Sequence, residues 1–173
     1  MKELSLHVLD IAQNSIKAEA AHLSIELWWE GTRLTITIRD DGCGMDADFL
    51  EAVTDPFTTT RTTRRVGMGL PLYKLAAEQT GGSFSIESRR GEGHGTTVTA
   101  VFCTDSIDCP PLGDMTGTIL TLIQGNPALS LRYGESGGGR EKRLDTDEMR
   151  EILGELPLNE PAVLDWIKGF LNE

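Results

Sequence analysis

The chain has 173 residues, 39% of them hydrophobic, which suffices for one good core with a small appendage. A formal net charge of -11 without a long Lys/Arg run gives a phosphate backbone nothing to grip, which excludes nucleic acid as the main partner. Cys43, Cys103 and Cys109 lack metal-ligand spacing, so neither a zinc site nor a disulfide framework is expected.

The N-terminus M-K-E-L-S-L-H has no signal pattern, and no apolar run approaches the roughly 18 residues that span a bilayer, so a cytoplasmic protein off the membrane is expected. Residues 3 to 18 read as a helix, with Leu4, Val8, Ile11 and Leu9, Ala12, Ile16 at three- and four-residue spacings. His22 to Trp29 and Arg33 to Arg39 read as a strand hairpin, the second arm alternating Leu34, Ile36, Ile38 against Thr35, Thr37. A Gly-rich turn at Asp41 to Met45 leads to a short helical piece at Asp46 to Val53. A Thr/Arg-rich loop precedes a helix from Leu70 to Glu78, stopped by Gly81-Gly82. Ser83 to Ser88 and Thr96 to Phe102 are strands. This order predicts an α/β (α+β) two-layer sandwich with every helix on one face of a mixed sheet.

Pro, Asp and Gly between Asp105 and Gly113 mark a boundary, giving a domain over 1–104 and a small α/β extension over 105–173. The extension predicts a helix at Met115 to Gln124, strands at Leu129 to Tyr133 and Lys142 to Leu144 around a Gly137-Gly138-Gly139 loop, and helices from Asp147 and Glu160. Its apolar residues, among them Leu156, Trp166, Ile167 and Phe170, read first as core packing.

Four features carry chemistry. On the first helix, His7, Asp10, Asn14 and Lys17 fall in a stripe about 80° wide, opposite the apolar face. Taken alone, such a stripe is the solvated side of an amphipathic helix. Asp41-Gly42-Cys43-Gly44-Met45 puts a carboxylate at a strand end before two glycines that let backbone turn tightly beside a ligand. That carboxylate can accept the exocyclic amine proton of adenine, where guanine would offer only another acceptor. Gly67-Met68-Gly69-Leu70 places glycines before a helix whose free N–H groups favour phosphate. Upstream, Thr58 to Arg65 supplies hydroxyls and three guanidiniums able to close over a triphosphate. Gly95-Thr96-Thr97 opens the last strand, where a hydroxyl could help hold the base.

In this order the motifs resemble the boxes of the GHKL ATPases, the Bergerat-fold superfamily of gyrase, MutL, heat-shock chaperones and sensor histidine kinases. H-V-L-D-I-A-Q-N-S-I-K-A is similar to the N box and D-D-G-C-G-M to the G1 box. D-P-F-T-T-T resembles the F box, G-M-G-L the G2 box and G-T-T-V the final box. The resemblance implies Mg²⁺ on the Asn14 amide oxygen, phosphate near Lys17, adenine on Asp41 supported by Thr96, and close approach at Gly42 and Gly44. Gly67, Gly69 and Leu70 would cradle the phosphates, with Met45, Phe57, Arg61 and Met68 completing the ATP site. Asp10, one turn before Asn14, takes the catalytic place where hydrolytic members carry a longer glutamate.

Sensor histidine kinases place an H-box hairpin ahead of the N box, whereas here the N box begins almost at residue 1, and the tail after Gly113 is short for a MutL-type transducer. The expectation is therefore a histidine-kinase-like Mg-ATP-binding protein without a phospho-acceptor domain. It acts as a slow ATPase or protein kinase in bacterial-type signalling, with a protein partner. The alternative is a non-catalytic module, anti-sigma-like, in which ATP orders the Thr/Arg segment for partner binding.

Overall fold

The computed structural model describes residues 2–54 and 69–173 of the chain. Helix α1 spans Leu4–Lys17, followed by strands β1 (His22–Glu30) and β2 (Arg33–Asp40), helix α2 (Ala47–Thr54) and helix α3 (Gly69–Gln79). Strands β3 (Ser83–Arg89) and β4 (Gly95–Cys103) come next. Then follow α4 (Met115–Gly125), β5 (Ser130–Gly137), β6 (Arg140–Asp145), α5 (Thr146–Leu153) and α6 (Pro161–Leu171). Each described element begins and ends within a few residues of where periodicity and Gly/Pro punctuation put it.

The strands form one six-stranded mixed sheet in the order β3-β4-β2-β1-β5-β6, antiparallel throughout except where β5 runs parallel to β1. Period-2 side chains decide which face is covered. Leu23, Ile25 and Leu27 of β1, Leu34, Ile36 and Ile38 of β2, and Val98, Ala100 and Phe102 of β4 are all buried, and the cross-strand register puts them on one face. The helices pack there, burying Val8, Ile11, Tyr73, Ile119 and Ile167 against the strands.

The stretch after Asp105 belongs to this same architecture. β5 and β6 widen the sheet sideways, and one continuous core runs from Leu4 to Leu171. The connection also completes α1, whose N-cap Glu3 makes no side-chain capping bond. Carbonyls of Pro111 and Leu112 accept from the free N–H groups of Leu4 and Ser5, at 2.9 and 2.8 Å. Core packing, the expectation for the C-terminal apolar residues, describes part of them. Leu158, Val163, Ile167 and Leu171 are buried, while Trp166 is 59% exposed and stacks on Phe170.

The polar stripe of α1 is only partly solvated, with Lys17 exposed and Asp10 and Asn14 half-buried. α1 is packed by β2, α3 and α4, so His7 is buried against the Tyr73 ring and Gly69 sits against Asp10 and Asn14.

Candidate nucleotide site

Between the C-terminal half of α1, the exit of β2 and the start of β4 lies a cavity of ≈ 320 Å³. Ile11, Ile38, Met45, Phe49, Leu70 and Val98 give it apolar walls, and Asn14, Ser15, Lys17, Asp40 and Thr96 bring polar groups to it. An apolar cleft with a few convergent polar groups is the common form of a small-molecule site.

The carboxylate in this cavity is Asp40, which corrects the expectation for Asp41. Asp40 continues the inward series Leu34, Ile36, Ile38, whereas Asp41 has the opposite parity. Asp40 Oδ2 accepts from the Ser15 hydroxyl at 2.6 Å and Oδ1 from the Gly42 N–H at 2.8 Å, which fixes its plane. Asp41 turns away and binds the start of β1. Its Oδ1 accepts from the Ala21 and His22 N–H groups at 2.8 Å each, and its Oδ2 meets His22 Nδ1 at 2.6 Å. Partial burial pushes the Asp41 carboxyl up, but the hydrogen bonds from the His22 N–H, the His22 ring and the Ala21 N–H outweigh it and hold the group below the usual carboxylate range.

Across the sheet, Asp40 faces Thr96, and Thr96 faces Ser88 on β3. Ser88 Oγ lies 2.7 Å from Thr96 Oγ1 and accepts from the Met45 N–H at 2.8 Å. Two glycines let the intervening loop fold onto the sheet, although their close neighbours are atoms of the protein itself. A Cβ on Gly44, at φ +73°, would lie 1.9 Å from the Arg89 carbonyl oxygen. One on Gly42 would lie 2.8 Å from Ala18 Cβ. Gly44 and Met45 line the cavity; Gly42 serves it through its N–H to Asp40. His94 Nδ1 meets the Gly42 carbonyl at 2.6 Å, tying the β3–β4 turn to the same loop.

On α1, Asn14 and Lys17 reach the cavity, and the Asn14 side-chain nitrogen is buried with no hydrogen-bond partner among the described residues. Asp10 stands one turn earlier and is not among the cavity's described lining residues; its carboxylate pairs with the Lys2 ammonium. Leu70 lines the cavity and Gly69 begins α3 beside Asn14. Phe57, Arg61, Gly67 and Met68, with the rest of the Thr/Arg segment, lie outside the described residues. Ser15, Asp40, Phe49 and Ser88 are the site residues that motif reading missed. Strand parity in β2 would have found Asp40.

The family described as histidine kinase-, DNA gyrase B- and HSP90-like ATPase matches residues 2–106. The chain belongs to this ATPase family. It is 34% identical over 99 residues to an uncharacterised sensor-like histidine kinase of Rhizobium meliloti, covering 53% of this chain and 19% of that protein. With the sensor histidine kinase ZraS of Escherichia coli it shares 31% identity over 93 residues, 53% of this chain and 20% of the relative. The match thus spans about a fifth of these kinases' length. The ATPase fold reaches further along the chain. The Aquifex aeolicus MutL ATPase domain, solved in complex with ADP, aligns over 88% of this chain and 69% of its own at a TM-score of 0.55 and 16% identity. No helix among the described residues of this family member is long and apolar enough to cross a membrane.

Proposed function

We propose that the cavity binds ATP, with Asp40 in place of Asp41 as the group that takes the exocyclic amine of adenine. The observation that carries this is the pairing of Asp40, its plane held by Ser15 and Gly42, with the Thr96 hydroxyl directly across from it. A fixed carboxylate accepts from adenine N6–H at little cost, because the protein has already ordered it. Membership of an ATPase family and the ADP complex of the MutL neighbour support the same ligand.

The residues also suit a magnesium ion accompanying the phosphates. The Asn14 side-chain nitrogen is buried without a partner among the described residues, and a half-turn about its last torsion brings oxygen where nitrogen stands. Hard cations take such oxygens, and magnesium supplies positive charge that offsets the triphosphate. Lys17 at the end of α1 adds a second positive charge at the cavity. The N–H groups opening α3 at Gly69 and Leu70 favour phosphate oxygens.

The function that fits is slow ATP hydrolysis or phosphoryl transfer to a protein partner in bacterial-type cytoplasmic signalling. Asp10, one turn before Asn14 and against Gly69, accepts the proton of the attacking group. The pairing of Asp10 with Lys2 favours a second reading, in which ATP is bound without turnover and acts through partner binding. Incubation with γ-labelled ATP and Mg²⁺, alone and with cell lysate, separates the two through free phosphate and labelled protein. Saturable binding with slow label release is the expected result; no saturable binding of any adenine nucleotide would sink both readings.

A further inference from the structure

We infer that Ser88 is a positioning residue that sets base specificity by fixing the proton direction of Thr96. This deepens the adenine reading and rests on it. Asp40, Thr96 and Ser88 occupy one row across β2, β4 and β3, on the face that forms the cavity wall. Asp40 and Thr96 line the cavity, and Ser88 stands behind Thr96.

The hydroxyl inventory of the row decides its polarity. Ser88 Oγ already accepts the Met45 N–H at 2.8 Å, so it retains one proton and one further lone pair. Its contact to Thr96 Oγ1 is 2.7 Å, and its other acceptor, the Gly95 carbonyl, is 3.3 Å away. The shorter contact is the better place for the Ser88 proton. With Ser88 donating to Thr96, the Thr96 proton is released toward the cavity.

The wall then presents an acceptor, Asp40, beside a donor, Thr96. Along its six-membered ring, adenine offers the complement: the N6 amine donates and the adjacent N1 accepts. Guanine at the same two positions offers an acceptor and a donor, reversed in order. Ser88 therefore acts on a single base atom, N1, directly or through one bridging water. A purely structural role, holding Met45 to the sheet, would affect all nucleotides alike.

The test compares ATP with 1-deaza-ATP, which keeps the amine and phosphates and lacks the N1 acceptor. Equilibrium binding is measured on the full chain with Mg²⁺. Wild type is expected to bind ATP about tenfold tighter than 1-deaza-ATP, the worth of one ordinary hydrogen bond. In Ser88→Ala that ratio falls to near one, and Ser88→Thr, which keeps the hydroxyl, restores it. An unchanged ratio in a folded Ser88→Ala overturns the inference, as does a wild-type ratio near one. Should Ser88→Ala fail to fold, Ser88→Cys, whose thiol is a weak donor, takes its place: a ratio well below that of wild type supports the role, and an unchanged ratio overturns it. Absence of ATP binding by wild type would instead remove the adenine reading itself, a distinguishable result.

Discussion

Asp40 and Thr96 stand directly opposite each other on β2 and β4, on the sheet face that carries the helices. The two acidic residues of the Asp40-Asp41 pair are thereby split by strand parity. One faces the cavity, and the other fastens the β2 exit to the start of β1.

That split predicts different outcomes for two isosteric substitutions. Asp40→Asn removes the anionic acceptor and is expected to weaken ATP binding by about 10- to 100-fold, the range for a hydrogen bond to a charged group. Asp41→Asn leaves ATP affinity within about threefold of wild type, because the side chain lies outside the cavity, and such a change is under about 0.7 kcal/mol. Titration calorimetry with Mg-ATP checks both. Equal losses in the two variants would reject the assignment.

Much of this was legible in the sequence, and the reason it failed at Asp40 is instructive. Leu34, Ile36 and Ile38 already announced an inward period of two, and one more step reaches Asp40. Anchoring the acidic residue to the following glycine, as in Asp41-Gly42, ignored that count. Helical angle places the α1 stripe but does not reveal that α3 and α4 pack against part of it. Ser88 was beyond reach of local pattern, since its meaning comes from two registers, Ser88 with Thr96 and Thr96 with Asp40. The change in composition near Asp105 was real but marked a connection, because parallel pairing of β5 with β1 joins residues over a hundred positions apart.

Buried His7 makes stability fall on acidification. Burial lowers its pKa from 6.5, the Lys2 ammonium lowers it further, and Asp10 raises it in part. The unfolded chain therefore binds the proton more readily than the folded one, so the contribution is whole above about pH 6.5 and is lost as pH drops through the lowered folded value. Thermal melts from pH 7.5 to 5 should show Tm declining in wild type and a flatter profile in His7→Leu. Parallel profiles would contradict this account.

Gly44 and Gly31 both hold positive φ, at +73° and +60°, yet only Gly44 is crowded, by the Arg89 carbonyl. Gly31→Ala is expected to cost about 1 kcal/mol, the penalty of a left-handed conformation alone. Gly44→Ala must also move the loop away from β3, and is expected to cost at least about 2 kcal/mol and to weaken ATP binding through displaced Met45. Urea denaturation of the two variants side by side measures the difference; similar losses would mean that the loop gives way freely.

The residues after 106 lie outside the family match, yet the sheet depends on them. β5 pairs with β1 along His22 to Trp28, and Pro111 and Leu112 satisfy the N–H groups at the start of α1. Ile119 and Ile167 are fully buried in the same core as Ile25 and Ile36. Cutting the chain after residue 106 would bare the β1 edge and the apolar side of α1 together, which favours aggregation. A fragment of residues 1–106 is therefore expected to lose cooperative unfolding and ATP binding. In the full chain, Ile167→Ala, far from the cavity, should cost about 2–5 kcal/mol with ATP affinity retained in the folded fraction. A soluble fragment that melts cooperatively near the full chain's Tm would show instead that the ATPase fold stands without its widened sheet.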